Sequence, residues 1–392
     1  MTRVVVIGSG FAGLWAALGA ARRRAELAVP VDIIMLSAKP FHDIRVRNYE
    51  ADLSACRIPL ADVLEPVGVA HIGAEVTGID TGTRSLTTSS GALHDYDRLV
   101  LASGSQVIKP AIPGLREFGF DVDTYDGALR LQRHLRGLAD GPRSPAGATV
   151  VVVGAGLTGI EASCELPARL RALFGRARVV LVDRNLFVGS DMGASARPVI
   201  ENALADNGIE TRTGVGVAAV SANAVTLSSG ERLDAATVVW CAGMRASPLT
   251  EQLPAARDRM GRVAVDDYLR VIGVPAVFAA GDVADARMDD THHSVMSCQH
   301  GRPMGRYAGY NVVGDLFDAP MLALRIPWYV TVLDLGPAGA LYTEGWDRTV
   351  VAQGADAKVT KQTINTRRIY PPLNGSRTDL LSAAAPELQA RP

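Results

Sequence analysis

Cysteine is scarce in this 392-residue chain, and the four residues present, Cys56, Cys164, Cys241 and Cys298, form no C-x-x-C or C-x4-C pair. Metal-site spacing is therefore absent, and small buried thiols are the ordinary reading. Charge of one sign is equally lacking. Forty Lys and Arg stand against 41 Asp and Glu, net −1, and the seven histidines are scattered. Such a balance supplies no basic excess to grip nucleic acid. Long apolar runs are missing too, since no window approaches the ~20 residues of a spanning helix. The strand-like run Val4-Val5-Val6-Ile7 begins almost at once, leaving no room for a cleavable secretion signal. The expectation is a cytoplasmic protein, with any membrane contact peripheral and at the inner face.

What is present is ample apolar material: 48% hydrophobic and 21% charged residues, enough for two or three domains. Strand-like runs alternate with helix-like stretches to about residue 285, the signature of parallel sheets with crossover helices, so the class is α/β. The strand-to-helix opening occurs twice, at 4–18 and 150–166, and the Pro/Gly-rich segment 137–147 lies between them. Short alternating runs at 70–100 read as a small antiparallel meander. Residues from about 320 to 392 carry strand-like pieces and no nucleotide signature, and are expected to form a smaller α+β domain.

The first opening places Gly8, Gly10 and Gly13 between a buried strand and an apolar helix. Such glycines permit a tight turn, close approach of a pyrophosphate and close strand–helix packing, while the helix start supplies amide donors. An acidic ribose ligand is expected at the end of the following strand, and Ser37 stands there instead. Its hydroxyl can still bond a ribose, and Lys39 either reaches a phosphate or is a solvated surface charge. In the second opening, Gly154, Gly156 and Gly159 are followed by Val179-Val180-Leu181-Val182-Asp183. Asp183 would accept bonds from the ribose hydroxyls and repel a 2′-phosphate, favouring NADH over NADPH.

The string Val277-Phe278-Ala279-Ala280-Gly281-Asp282, a buried strand running into Gly-Asp, resembles the motif that closes the FAD domain of the two-dinucleotide flavoproteins. Ala102-Ser103-Gly104 is similar to their A-T-G motif, with Ser for Thr. The resemblance implies two Rossmann-like domains and assigns FAD to the first fingerprint. It implies an FAD-binding domain at 1–110 and 254–318, an NAD(P)H-binding domain at 111–253 and a C-terminal domain at 319–392. It adds Ala12, Val76 and Gly243 to the expected cofactor contacts. Disulfide reductases of this superfamily relay electrons through a C-x4-C pair, for which only Cys56 is near, so a dithiol relay is excluded. A single-thiol route would require Cys56 as a thiolate, and its place after Tyr49 is late for that.

Within the superfamily, Thr158-Gly159-Ile160-Glu161 with Glu165-Leu166, and Val239-Trp240-Cys241-Ala242-Gly243-Met244, resemble type II NADH dehydrogenases and the related ferroptosis-suppressor and apoptosis-inducing-factor-like quinone reductases, over about residues 1–315. The resemblance implies hydride transfer from NADH to flavin N5, then two electrons to a quinone-like acceptor. Ser297-Cys298-Gln299-His300-Gly301 matches the segment beside the family's quinone channel, placing Gln299 and His300 near the acceptor. A lone histidine at a helix start reads equally well as an ordinary polar residue. Arg45 and Arg47 either stabilise charge on the flavin or pair with carboxylates or the FAD phosphates. Glu161 and Glu165 are candidates for the nicotinamide side and proton delivery, or else exposed carboxylates near a helix start. The tail from Lys361 onward shows no wide apolar stripe for anchoring. Two other readings stay open: an NADH-sensing flavoprotein with slow turnover, and a ferredoxin reductase suggested by Pro327-Trp328-Tyr329. The sequence sets no oligomeric state, a homodimer included.

Overall fold

The computed structural model describes residues 2–142 and 144–387. Apolar runs without polar interruption become strands covered on both faces. Thr2–Ile7 pairs in parallel with Val31–Ser37 on one side and Arg98–Leu101 on the other. Ala70–Gly73 and Val277–Ala279 complete a five-stranded parallel sheet in the order 277–279, 98–101, 2–7, 31–37, 70–73. A second parallel sheet repeats the plan with Gly119–Phe120, Thr237–Trp240, Thr149–Val153, Arg178–Asp183 and Ile209–Thr213. Each sheet carries a three-stranded antiparallel meander, at 76–95 and at 217–234. In both, the strand order reverses beside the fingerprint strand, which is where open α/β sheets bind nucleotides. The α/β, Rossmann-type architecture expected from the sequence is the one observed.

The turn after each fingerprint strand is possible because of its glycines. Gly8 has φ +101°, and a Cβ on Gly13 would lie 2.0 Å from the Gly8 carbonyl oxygen. A side chain at either place would push the helix Phe11–Leu27 off its strand. The same helix is crossed closely by Cys298–Leu316, because Gly305 and Gly309 lay bare backbone against Ala12 and Ala16; Cβ atoms there would come within 2.3 and 2.0 Å of the Ala12 and Ala16 carbonyl oxygens. This crossing sets the start of the 298–316 helix beside the start of the 11–27 helix. Two helix N-termini thus converge on one space.

The C-terminal segment is a three-stranded antiparallel sheet, Val330–Asp334, Ala340–Glu344 and Thr349–Gln353, followed by the helix Gly354–Thr363, a π-helical turn Ile364–Arg368 and the short helix Arg377–Ala383. Its own core is small. Leu333, Leu335 and Leu341 instead join the core of the second nucleotide unit, and Ile369 and Leu380 join that of the first. Burying each such side chain is worth roughly 1.5–3 kcal/mol, so this segment is fastened to both units rather than tethered. Among the described residues, no helix is long and apolar enough to cross a membrane.

Candidate active site

A cavity of about 390 Å³ opens where the two fingerprints, the 298–316 helix and the C-terminal sheet meet. Gly10, Phe11 and Ala12 line it from the first fingerprint, with Ala102, Gly104, Gly281 and Asp282. From the second unit come Leu157, Thr158, Glu161, Trp240, Cys241 and Met244. An ideal Cβ on Gly10 or Gly104 would meet nothing within 4 Å, so bare backbone faces open space there. Buried polar atoms without partners, Ser103 Oγ and Gln299 Nε2, stand in the same region. An open glycine cradle with waiting donors is what a flavin dinucleotide needs, and these residues fit FAD.

A charge network sits at the cavity's polar end. Ser105 Oγ donates to Asp282 Oδ2 at 2.6 Å, and Arg45 Nη1 donates to the Ser105 carbonyl at 3.1 Å and to its hydroxyl at 2.9 Å. Arg45 also pairs with Asp123 and lies 3.7 Å from Asp282. Burial pushes the Asp282 carboxyl above its usual range, against the pull of Ser105 and Arg45. Of the two arginines expected near the flavin, Arg45 lines the cavity. Arg47 turns away to a bidentate pair with Glu50, at 2.8 and 2.6 Å, and donates to the Tyr370 hydroxyl at 2.6 Å.

The ribose-end candidates lie beyond this cavity. Ser37 Oγ donates to the Lys39 carbonyl at 2.8 Å and bonds His71 Nε2 at 2.9 Å, while Lys39 pairs with Asp126. Val76 is buried in the core at the first meander. In the second unit, Asp183 closes its strand and accepts from the Ala155 amide at 2.6 Å and the Asn185 amide at 2.7 Å, which holds the carboxylate at the rim of the glycine turn. A Cβ on Gly159 would fall 1.7 Å from the Gly154 carbonyl oxygen, and Gly156 is open. Gly243 has φ +76° and lies between two lining residues, Cys241 and Met244.

Glu161 is not an exposed carboxylate. It is 8% exposed, lines the cavity, and accepts from Lys361 Nζ at 2.7 Å and from the Asp334 amide at 3.0 Å. Burial raises its pKa and the Lys361 ammonium opposes that rise. Glu165, one turn on, is outside the cavity lining and accepts from the Ala51 amide at 3.2 Å, so the structure does not join it to Glu161.

At the start of the 298–316 helix, Gln299 lines the cavity and His300 does not. The His300 ring is fully buried, accepts from the Val295 amide at 2.9 Å through Nδ1, and packs beside Tyr329 and Trp346, with ring centroids 5.7 and 6.0 Å away. Burial drops its pKa to about 4, so the ring is neutral at physiological pH, and its buried Nε2 has no partner among the described residues. Cys56 is buried beside Leu53 and Ala128 with its thiol pushed up to about 11, which removes it as a thiolate. Cys241 and Cys298 do line the cavity, and burial raises both thiols.

Sequence reasoning missed Asp123, Ser105 and Lys361. Lys361 lies 200 residues from Glu161, in a tail with no nucleotide motif, and no local pattern announces such a pairing. Ser105 directly follows Ala102-Ser103-Gly104, a local signal for its place at the site.

Two glycine-cradled parallel sheets of Rossmann type thus share one cavity. The profile described as pyridine nucleotide-disulphide oxidoreductase matches residues 2–305, and the chain belongs to that family. It is 78% identical to an NADH dehydrogenase-like protein of Mycobacterium tuberculosis, covering 100% of both chains. It is 27% identical to a demethylphylloquinone reductase of Synechocystis sp., covering 86% of each. In fold it is similar to the sulfide:quinone oxidoreductase of Aquifex aeolicus, with TM-score 0.78, 19% identity and coverage of 96% and 93%. NDH2 from Plasmodium falciparum in complex with NADH superposes with TM-score 0.77 at 13% identity, covering 97% of each chain. At these identities the two structures speak for the fold alone. The chain is an oxidoreductase of the NADH dehydrogenase-like kind.

Proposed function

We propose that this protein oxidises NADH, with NADPH the poorer donor, and passes two electrons to a quinone-like acceptor through bound FAD without a redox disulfide. The observation that carries this reading is the single cavity walled by both fingerprints and by the Cys298–Gly301 helix start. FAD, when bound, supplies the two-electron relay between nicotinamide and acceptor. The chain's residues do the positioning. The Gly8–Gly13 turn and the amides opening the 11–27 helix would hold the pyrophosphate, with Ser37 and Lys39 toward the adenosine. Asp282, braced by Ser105 and Arg45, would bond the ribityl hydroxyls, and Arg45 would bring a positive charge near the flavin.

Gly154, Gly156 and Gly159 would hold the NADH pyrophosphate, and Asp183 would take the ribose hydroxyls and disfavour a 2′-phosphate. Glu161, fixed by Lys361, is the carboxylate that orients the nicotinamide end and handles a proton there. Gln299, with an unpartnered amide, is the donor at the acceptor end. The partition into 1–110 with 254–318, 111–253 and 319–392 is proposed on the same footing, as is a cytoplasmic location with at most peripheral contact at the inner membrane face.

Relatives named type II NADH:quinone oxidoreductase support the reading, including one from Mycobacterium tuberculosis that is 31% identical over 318 residues. Steady-state rates with NADH against quinones, oxygen, ferredoxin and disulfides test it. Quinones are expected to lead by at least tenfold. A ferredoxin or disulfide that outruns every quinone would overturn it.

A further inference from the structure

A second space of about 510 Å³ adjoins the flavin cavity between the 298–316 helix, the 367–372 turn and the last short helix. Arg302, Arg306 and Arg368 line both spaces, so a ligand in the second reaches the first. Arg367 and Tyr370 complete its polar wall. Arg302 and Arg306 lie one turn apart, and their residues are 6% and 4% exposed. Both guanidinium groups pack on Trp15, at 5.2 and 4.2 Å from the ring centre, and their buried Nε atoms have no partner. Among the described residues, neither pairs with a carboxylate. Glu387 also lines the space and makes no ion pair with either one.

Two neighbouring guanidinium groups held largely out of water are costly, and arginine cannot escape the cost by losing its proton. Burial, with repulsion from Arg368 on Arg302 and from Arg302 on Arg306, drops both pKa values to about 10, still far above neutrality. Trp15 offsets part of the cost through its ring face. The rest awaits an anion with several acceptor oxygens, for which paired arginines are the fitting donors. A channel built for a wholly apolar quinone has no use for this lining.

We infer that the oxidising substrate is anionic: a quinone-type acceptor bearing a carboxylate, sulfonate or phosphate group that seats on Arg302 and Arg306 while its ring enters the flavin cavity. This rests on the quinone-acceptor reading above. The overall change stays balanced as NADH plus a proton plus the quinone giving NAD⁺ and the hydroquinone, and the anionic group is untouched.

The experiment uses the full-length FAD-loaded protein and two probes, 1,4-naphthoquinone and 1,4-naphthoquinone-2-sulfonate, with redox-inert 2-naphthalenesulfonate as a binding probe read by calorimetry. For R302Q/R306Q, the ratio of kcat/KM for the sulfonated over the plain quinone is expected to fall roughly 30-fold, chiefly through KM, and 2-naphthalenesulfonate to bind at least roughly tenfold more weakly. R302K/R306K, which keeps the charges in place, is expected to lie between. An unchanged ratio with unchanged binding overturns the inference. So does arginine-dependent capture of phosphatidylglycerol vesicles by a protein that ignores 2-naphthalenesulfonate, which would assign the pocket to a lipid headgroup. If neither quinone is reduced and 2-naphthalenesulfonate still binds through the arginines, the anion site stands and the quinone reading is what fails.

Discussion

Replacing Lys361 with methionine removes the ammonium that neutralises Glu161 and leaves that carboxylate, among the described residues, with the Asp334 amide as donor. Both side chains are about nine-tenths buried, at 9% and 10% exposure. Breaking a pair of this kind from one side costs roughly 3–5 kcal/mol, because a buried charge is stranded. Unfolding of the FAD-loaded protein by denaturant, followed through the flavin and through far-UV dichroism, reads that loss. Glu161→Gln alone strands the lysine; combined with Lys361→Met it strands nothing. The double variant is therefore expected to regain most of the deficit, with a coupling of roughly 2 kcal/mol or more. The pH dependence has a definite sign. Burial holds the Glu161 pKa above the usual carboxylate range, so its favourable term is present at low pH and lost as pH rises through that raised value. Without Lys361 the pKa climbs further. The Lys361→Met deficit must then grow as pH rises above the ordinary carboxylate range. A deficit independent of pH, with a double variant as unstable as the sum of the singles, would show that Lys361 does not neutralise Glu161.

Gly159→Ala puts a methyl where 1.7 Å separates it from the Gly154 carbonyl oxygen, so NADH binding should be lost while flavin content is retained, as absorbance and NADH titration would show. Asp183→Ala should cut the NADH over NADPH preference in kcat/KM roughly tenfold; a preference that stays put argues against its ribose role. Arg45→Ala leaves Asp123 and Asp282 without their shared cation and should weaken FAD retention and lower the flavin's reduction potential, measured by dialysis and by dye-coupled reduction. His300→Asn should leave the shape of the rate profile between about pH 5.5 and 8 unaltered, since the buried ring does not titrate there.

The architecture was legible because its signals are local. A buried strand, three glycines and an apolar helix within fifteen residues leave the chain few options, and they did so twice. The Gly-Asp string ending the FAD domain was legible for the same reason. What escaped were pairings across the fold. Glu161 and Glu165 look alike in sequence, yet one points into the cavity and is neutralised from the tail while the other bonds the Ala51 amide. Neighbouring Gln299 and His300 also part company, because successive helical positions are rotated by about 100° and face different surroundings. The tail itself had no motif to read. Its contribution to the site, through Lys361 and the π-helical turn, depends on docking against both nucleotide units.

The central claim is that NADH and a quinone-like acceptor meet one FAD in one cavity. Stopped-flow mixing of the purified, full-length protein with NADH, followed by a quinone, tests it most directly. The visible flavin absorbance should bleach within milliseconds and return as fast when the quinone arrives. A purified protein that holds no FAD, or whose flavin stays bleached in a long-lived complex with the nicotinamide, would contradict it.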